Sequence, residues 1–226
     1  MLTIGNVYAH GFDGDQLARL ESLGFRFRPE VSSYSGSQIC HFLDFPFRPS
    51  LELIEVSDRS AYEAFVTPGM EPYCPGVSLV VDDGSPEHLA RFEQVLADSS
   101  PYRLKVSYQE EGGPGWHSLK LSEPLAPGAF LWLTAYDEPR PSSGPPTCHP
   151  NGTRGVVGLV FELDPEGLAA LSVLVGSPVK DGRLRIGDID VMAAGVGRRH
   201  RRFPLRAVVL QVPDMDDFGS ASESAD

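Results

Sequence analysis

The stretch GTRGVVGLVFELDPEGLAALSVLVG, residues 152–176, sets a strand-like run directly against a helix-like pattern, with Asp164 and Pro165 at the junction. Asp164 is placed to cap the helix and Pro165 to take its first position, where a missing N–H costs nothing. The arrangement occurs three times, in NVYAHGFDGDQLARLESLGF, GVSLVVDDGSPEHLARFEQVLAD and VVGLVFELDPEGLAALSVLVG. In each, an apolar strand of about six residues runs to an acidic residue and then into an amphipathic helix, which marks a repeated supersecondary unit. Asp13, Asp83 and Asp164 stand at equivalent points, 70 and 81 residues apart.

Ser85 and Pro86 repeat the cap-and-proline pair in the second copy, and Asp13 or Asp15 serves in the first. Leu17, Leu20 and Leu23, then Leu89, Phe92, Val95 and Leu96, then Leu168, Leu171 and Leu174 recur at helical spacing. These stripes predict one buried face per helix, a core rather than a cofactor box.

Three strands are predicted after the first helix: FRFRPEV (25–31), SQICHFLDF (37–45) and LELIEV (51–56). The second copy repeats them as YRLKVSYQ (102–109), WHSLKL (116–121) and AFLWLTAY (129–136), with EEGGPG as a turn. The third offers GRLRIGDIDVMAAG (182–195) and LRAVVLQV (205–212), so it is shorter or differently divided. The predicted fold class is α+β, with tandem βαβββ units at about 1–56, 76–136 and 152–213, two full and a trimmed third. A short helix is predicted near 61–65 in the first connection (57–76), and the Pro-rich crossing (137–152) and that connection are candidate pocket rims. The acidic, Ser-rich segment 214–226 predicts a disordered tail.

At 41% hydrophobic and 22% charged residues, the 226-residue chain has the composition of a soluble globular protein. Its start lacks a leader pattern and no run approaches a membrane span, so a cytoplasmic location without membrane contact is expected. Cys40, Cys74 and Cys148 are scattered, which suggests neither a disulfide framework nor a thiolate zinc site. A net charge of −12 argues against nucleic acid as partner. The basic run GRRHRR (197–202) reads as a charged turn, with an anion or partner contact as the alternative.

LELIEV (51–56), GVSLVVDD (76–83) and CHPNGTRGVVGLVFELDP (148–165) resemble the glyoxalase-like members of the vicinal-oxygen-chelate superfamily, over roughly residues 1–213. The resemblance implies paired units curling into a cupped mixed sheet with helices outside. It also implies a divalent metal on the floor, held by a His of the opening strand and a Glu of the last strand. Counting back seven residues from each acidic marker, the His positions are Asn6, Gly76 and Val157. Glu52 matches the last-strand Glu, and its counterpart through FLWLTA is Trp132. Asn6 replaces the His, and Glu52 is the only motif-matched ligand, so the usual metal site is not expected and no cofactor follows; a rebuilt divalent site is the alternative.

His41 and His117 occupy similar places in their copies, where a two-fold arrangement would bring their imidazoles toward one cleft; solvent-facing or locally bonded rings are the plainer alternative. His10, His88, His149 and His200 have no metal-like spacing partner. Glu52 and Glu55, three apart in a strand, point to opposite faces. Phosphate loops, dinucleotide fingerprints and nucleophile elbows are missing from the sequence.

Three functions remain open. The first is a protein binding a small molecule in a cup lined by Tyr8, His41, Glu52, His117 and Trp132. The second is a lyase, isomerase or dioxygenase of the same superfamily, metal-dependent or not, with Glu52 and His41 as candidate catalytic groups. The third is a dimeric interaction protein; whether the chain is an enzyme is left undecided by its residues.

Overall fold

Asp13 begins the first helix: its carboxylate accepts the Gln16 N–H at 2.9 Å and the Gln16 side chain accepts the Asp13 N–H at 3.0 Å, a reciprocal capping box. The computed structural model describes residues 2–29, 31–34, 37–46, 49–65, 76–81, 85–99, 104–109, 116–121, 131–136, 148–163, 165–194 and 205–211. Asp83, Asp164, the run 197–202, the tail 214–226, residues 66–75 of the first predicted rim loop and residues 137–147 of the second lie outside these residues.

The first unit comprises β1 (Leu2–His10), α1 (Gly14–Ser22), β2 (Ser32–Tyr34), β3 (Gln38–Leu43) and β4 (Ser50–Val56). A short helix, α2 (Arg59–Phe65), follows where one is predicted, with the Asp58 carboxylate accepting the Ala61 N–H at 3.0 Å. The second unit is β5 (Gly76–Val81), α3 (Pro86–Ser99), β6 (Leu104–Gln109), β7 (Trp116–Leu121) and β8 (Leu131–Tyr136). The third is β9 (Gly155–Phe161), α4 (Pro165–Val175), β10 (Val179–Lys180), β11 (Arg183–Ile186) and β12 (Ile189–Ala193), followed by β13 (Leu205–Gln211).

Two curled mixed sheets result. The larger has the order β2-β3-β4-β1-β5-β8-β7-β6, and the smaller β10-β11-β12-β9-β13. Within each unit the last strand runs parallel to the first, β4 with β1, β8 with β5 and β12 with β9. Opening strands meet antiparallel, β1 with β5, and β13 takes toward β9 the place that β5 takes toward β1. The trimmed third unit keeps all five elements, the last three as short strands, because the run 182–195 divides at Gly187 and a further turn at Asp181 and Gly182 sets off β10. Both residues of that turn have positive φ (50° and 72°), as a two-residue Asp-Gly hairpin requires.

One core joins the sheets. Leu2, Ile4, Val7, Leu43, Leu53, Leu79 and Leu133 of the larger sheet are buried with Leu159, Phe161 and Val191 of the smaller one and Leu168, Leu171 and Leu174 of α4. Leu17, Leu20, Leu89 and Phe92 of α1 and α3 pack against it, so this is the helix side of the larger sheet. Alternation places Asn6, Tyr8, Cys40, Phe42, Glu52 and Ile54 on the opposite, cup side.

Three expectations need correction. Leu23 and Val95, assigned to buried stripes, are 58% and 55% exposed; Leu23 is the C-cap of α1, past the last full turn. None of the described residues of the predicted strand 25–31 is in a strand, and pairing begins at Ser32. Arg28 donates its N–H to the Phe42 carbonyl at 2.8 Å, but Arg26 gives its own to the His149 Nδ1 at 3.0 Å, and Pro29 has none to give.

The lead-in to the third unit closes on the end of α1. Asn151 donates from Nδ2 to the Leu23 carbonyl at 3.0 Å, and its Oδ1 accepts the Thr153 N–H at 3.0 Å. Gly24 has φ +82°, and a Cβ there would lie 2.9 Å from the Asn151 nitrogen. Gly24→Ala therefore combines left-handed strain with a backbone clash, and a loss of about 2 kcal/mol or more is expected, measured as a lower urea midpoint at unchanged m.

Candidate functional site on the cup floor

A β-bulge sets the floor. Ile4 pairs with Leu79 and Asn6 with Ser78, so Gly5 is the extra residue of β1. A Cβ on Gly5 would meet Val80 Cγ2 at 2.5 Å, which is why glycine stands there. The extra residue turns Asn6, Tyr8 and His10 to the cup side while keeping Leu2, Ile4 and Val7 in the core.

Asn6 Nδ2 donates to Glu52 Oε2 at 3.1 Å, and Glu52 pairs in register with Tyr8, two residues beyond Asn6. The second unit repeats the geometry. Thr134 pairs in register with Val80, two residues beyond Ser78, and the Ser78 and Thr134 hydroxyls lie 3.1 Å apart. Ser78 and Thr134 are therefore the structural counterparts of Asn6 and Glu52, in place of Gly76 and Trp132. A row of four polar side chains crosses the adjacent strands β4, β1, β5 and β8.

The smaller sheet carries the same bulge, at Val157, between the pairs Val156 with Leu210 and Gly158 with Val209. Gly158 thus takes the place of Asn6, one residue later than the spacing suggests, and Met192, opposite Val160, takes that of Glu52. A Cβ on Gly158 would lie 3.3 Å from Val209 Cβ and 3.4 Å from Met192 Cε, so apolar groups fill this floor.

The predicted site residues divide by face. Tyr8 is buried beside Cys40, Phe42 and Ile54 on the cup side. Its ring meets His10 edge-on at 5.7 Å, and His10 meets Tyr62 of α2 at 5.3 Å. His41 is not brought to Glu52: it pairs with Leu53 on the helix side, near Glu55 (3.6 Å) and against Phe27. His117 pairs in backbone register with Ala135, and Trp132 with Ser78, while their side chains lie outside the described ones.

These residues do not fit a divalent ion in the usual place. The amide nitrogen that faces Glu52 is a donor without a free lone pair, and the second pair consists of neutral hydroxyls rather than imidazole and carboxylate. Among the described residues, no three His, Cys, Asp or Glu side chains cluster to hold a metal. Cys40, fully buried, is held far above the usual thiol range by its burial first, and then by the charge of Glu52 and a hydrogen bond to it. It is no nucleophile at neutral pH. In native protein, iodoacetamide should modify the exposed Cys148 at least about 100-fold faster than Cys40, as read by peptide mass spectrometry.

Sequence reasoning missed Ser78, Thr134 and Cys40. The polar residues in GVSLVV and LWLTAY, each alone in an apolar strand, are the one available signal for the first two. A separate open groove of about 660 Å³ between the sheets, lined by Thr3, Ile4, Val156, Ile189 and Gln211 among others, contains none of the predicted site residues.

No family model and no curated protein matches the sequence. Solved structures match the fold. A hypothetical protein from Staphylococcus aureus superposes with a TM-score of 0.62 at 9% identity, over 94% of this chain and 92% of that one. Catechol 2,3-dioxygenase superposes with a TM-score of 0.57 at 14% identity, over 96% and 72% of the two chains. Glyoxalase I from Zea mays is also similar, at 17% identity and a TM-score of 0.40, over 84% and 66%.

Proposed function

We propose, from the premise that this chain has the vicinal-oxygen-chelate fold, that it binds a small organic molecule in the cup of the larger sheet without a metal ion. The hydrogen bond from Asn6 to Glu52 supports this reading most directly, since it occupies the pair of positions that would otherwise ligate the ion. The cup side is built of apolar and aromatic side chains with a few polar groups, the composition of a small-molecule pocket. Tyr8 and Glu52 line it in this reading, and Asn6, Ser78 and Thr134 supply polar contacts. The net charge of −12 disfavours nucleic acid as ligand. No helix among the described residues is long and apolar enough to cross a membrane, and the scattered cysteines support a cytoplasmic location.

Elemental analysis of protein purified without chelators, together with a fragment screen by ligand-observed NMR, tests the proposal. Substoichiometric metal is expected, with fragment hits that weaken at least about tenfold in Tyr8→Ala and Glu52→Gln. Stoichiometric metal that disappears in Glu52→Gln would overturn it, as would a folded protein whose hits ignore both substitutions.

A further inference from the structure

We propose that residues 148–153 form an acid-released clasp: the neutral His149 imidazole holds the third unit against the end of α1 and the segment after it, and the imidazolium lets go. His149 is 5% exposed, and its ring stands edge-on between Phe25 and Phe45, at 5.6 and 4.9 Å. Nδ1 accepts the Arg26 N–H at 3.0 Å, which fixes the neutral tautomer with its proton on Nε2. Protonation would put N–H on both ring nitrogens, so Nδ1 would confront the Arg26 N–H donor against donor.

The surrounding charges do not rescue the imidazolium. Arg26 faces it with like charge. Asp44, at the end of β3, has the opposite charge, but its carboxylate is already engaged by Arg28 Nε at 2.6 Å, Arg28 Nη2 at 2.7 Å and Ser50 Oγ at 2.7 Å. His149 itself is 5% exposed, between the two phenylalanines. Burial thus holds the imidazole below its ordinary range, against an opposing pull from the carbonyl and carboxylate of Asp44 and with a further lowering from Arg26. The sign follows from linkage. A base whose folded pKa is lowered takes up its proton more readily when released, so the clasp is at full strength above about 6.5, the ordinary value, and weakens as pH falls below it.

The part that opens is bounded by the bonds that depend on the ring's position. Asn151 reaches the Leu23 carbonyl and its N–H the Gly24 carbonyl (3.4 Å), and Thr153 leans on Asn151. Immediately beyond, the Arg154 N–H donates to the Gln211 carbonyl at 2.9 Å, so β9 and β13 lie one step from the clasp. The shared apolar core stays closed, and the motion is a loosening of this seam rather than a separation of the sheets.

Amide hydrogen exchange on the full chain at pH 7.5 and 5.0, corrected for intrinsic rates, tests the clasp. Protection at Arg26, Asn151 and Thr153 should fall roughly ten- to thirtyfold, the range set by an ordinary imidazole in the open form, while the amides of β3 and β4 change less than about twofold. His149→Gln, which can still accept the Arg26 N–H and does not titrate, should abolish the fall. An equal fall across β3 and β4, no fall at the three amides, or the same fall in His149→Gln overturns the proposal. If the glutamine variant does not fold, ring ¹⁵N shifts of His149 in the natural chain decide: protection must be lost with its titration, and loss at another pH refutes the clasp.

Discussion

Asn6→His, Ser78→His and Thr134→Glu, introduced together with Glu52 retained, are expected to turn a floor with no measurable affinity for divalent cobalt into a stoichiometric site of about micromolar Kd. The expectation rests on register. Asn6 and Ser78 face each other across β1 and β5, Glu52 and Thr134 stand two residues along their own parallel neighbours, and each pair already touches at 3.1 Å. Two imidazoles and two carboxylates at those places give nitrogen and oxygen ligands suited to first-row ions. A micromolar Kd corresponds to about 8 kcal/mol, which two ligands rarely supply, so Asn6→His alone should bind at least about 100-fold more weakly. Visible absorption on cobalt titration reads both the stoichiometry and the geometry, and circular dichroism shows that the variant is folded. A folded triple variant that takes up no cobalt would mean that the two pairs do not converge on one point, and that their matching offsets are not the trace of a metal floor.

The repeat was legible because each opening strand and helix carries its own local chemistry. The Asp13 cap and the Ser85–Pro86 start need only neighbouring residues, and both stand in the structure, where the His88 N–H reaches Ser85 Oγ at 3.3 Å. The floor was less legible, because a bulge adds one residue without leaving a fixed mark. Gly5 and Val157 occupy the same bulge with quite different side chains, and counting across Val157 puts the equivalent of Asn6 one residue early. The face of His41 follows from its pairing with Leu53, and a one-residue difference in register would have reversed it. FRFRPEV looked like a strand because Phe25 and Phe27 alternate with charged residues. Those phenylalanines do pack on the core, but the Arg26 N–H is diverted to a distant histidine, leaving one backbone bond to β3 at Arg28 before a proline.

Asp44→Ala is expected to be among the most damaging single changes in the first unit, at roughly 3 kcal/mol. Residues 25–29 have no continuous ladder, only the single backbone bond from Arg28 to the Phe42 carbonyl on β3, so side chains supply much of their hold. Arg28 grips Asp44 through two short bonds, and its guanidinium lies 4.6 Å from the centre of the Phe42 ring. The pair is mostly out of solvent, with side chains 23% and 11% exposed, so losing the carboxylate strands a half-buried cation and leaves the Ser50 hydroxyl without this acceptor. Arg28→Met should cost a similar amount for the converse reason, an anion that loses its cation and the two bonds to it and keeps the Ser50 hydroxyl. The double variant should cost less than the sum of the two by about 1–3 kcal/mol, because the second change removes the stranded charge left by the first. Urea unfolding of the four proteins measures this coupling, and additive losses would show that the pair contributes no joint energy. The consequence reaches the cup: Ser50 begins β4, and Glu52 lies two residues further on the same face. A loosened β3–β4 connection should therefore lengthen the Asn6–Glu52 bond before the sheet itself opens, so fragment binding in Asp44→Ala should weaken at urea concentrations where the strand amides are still protected.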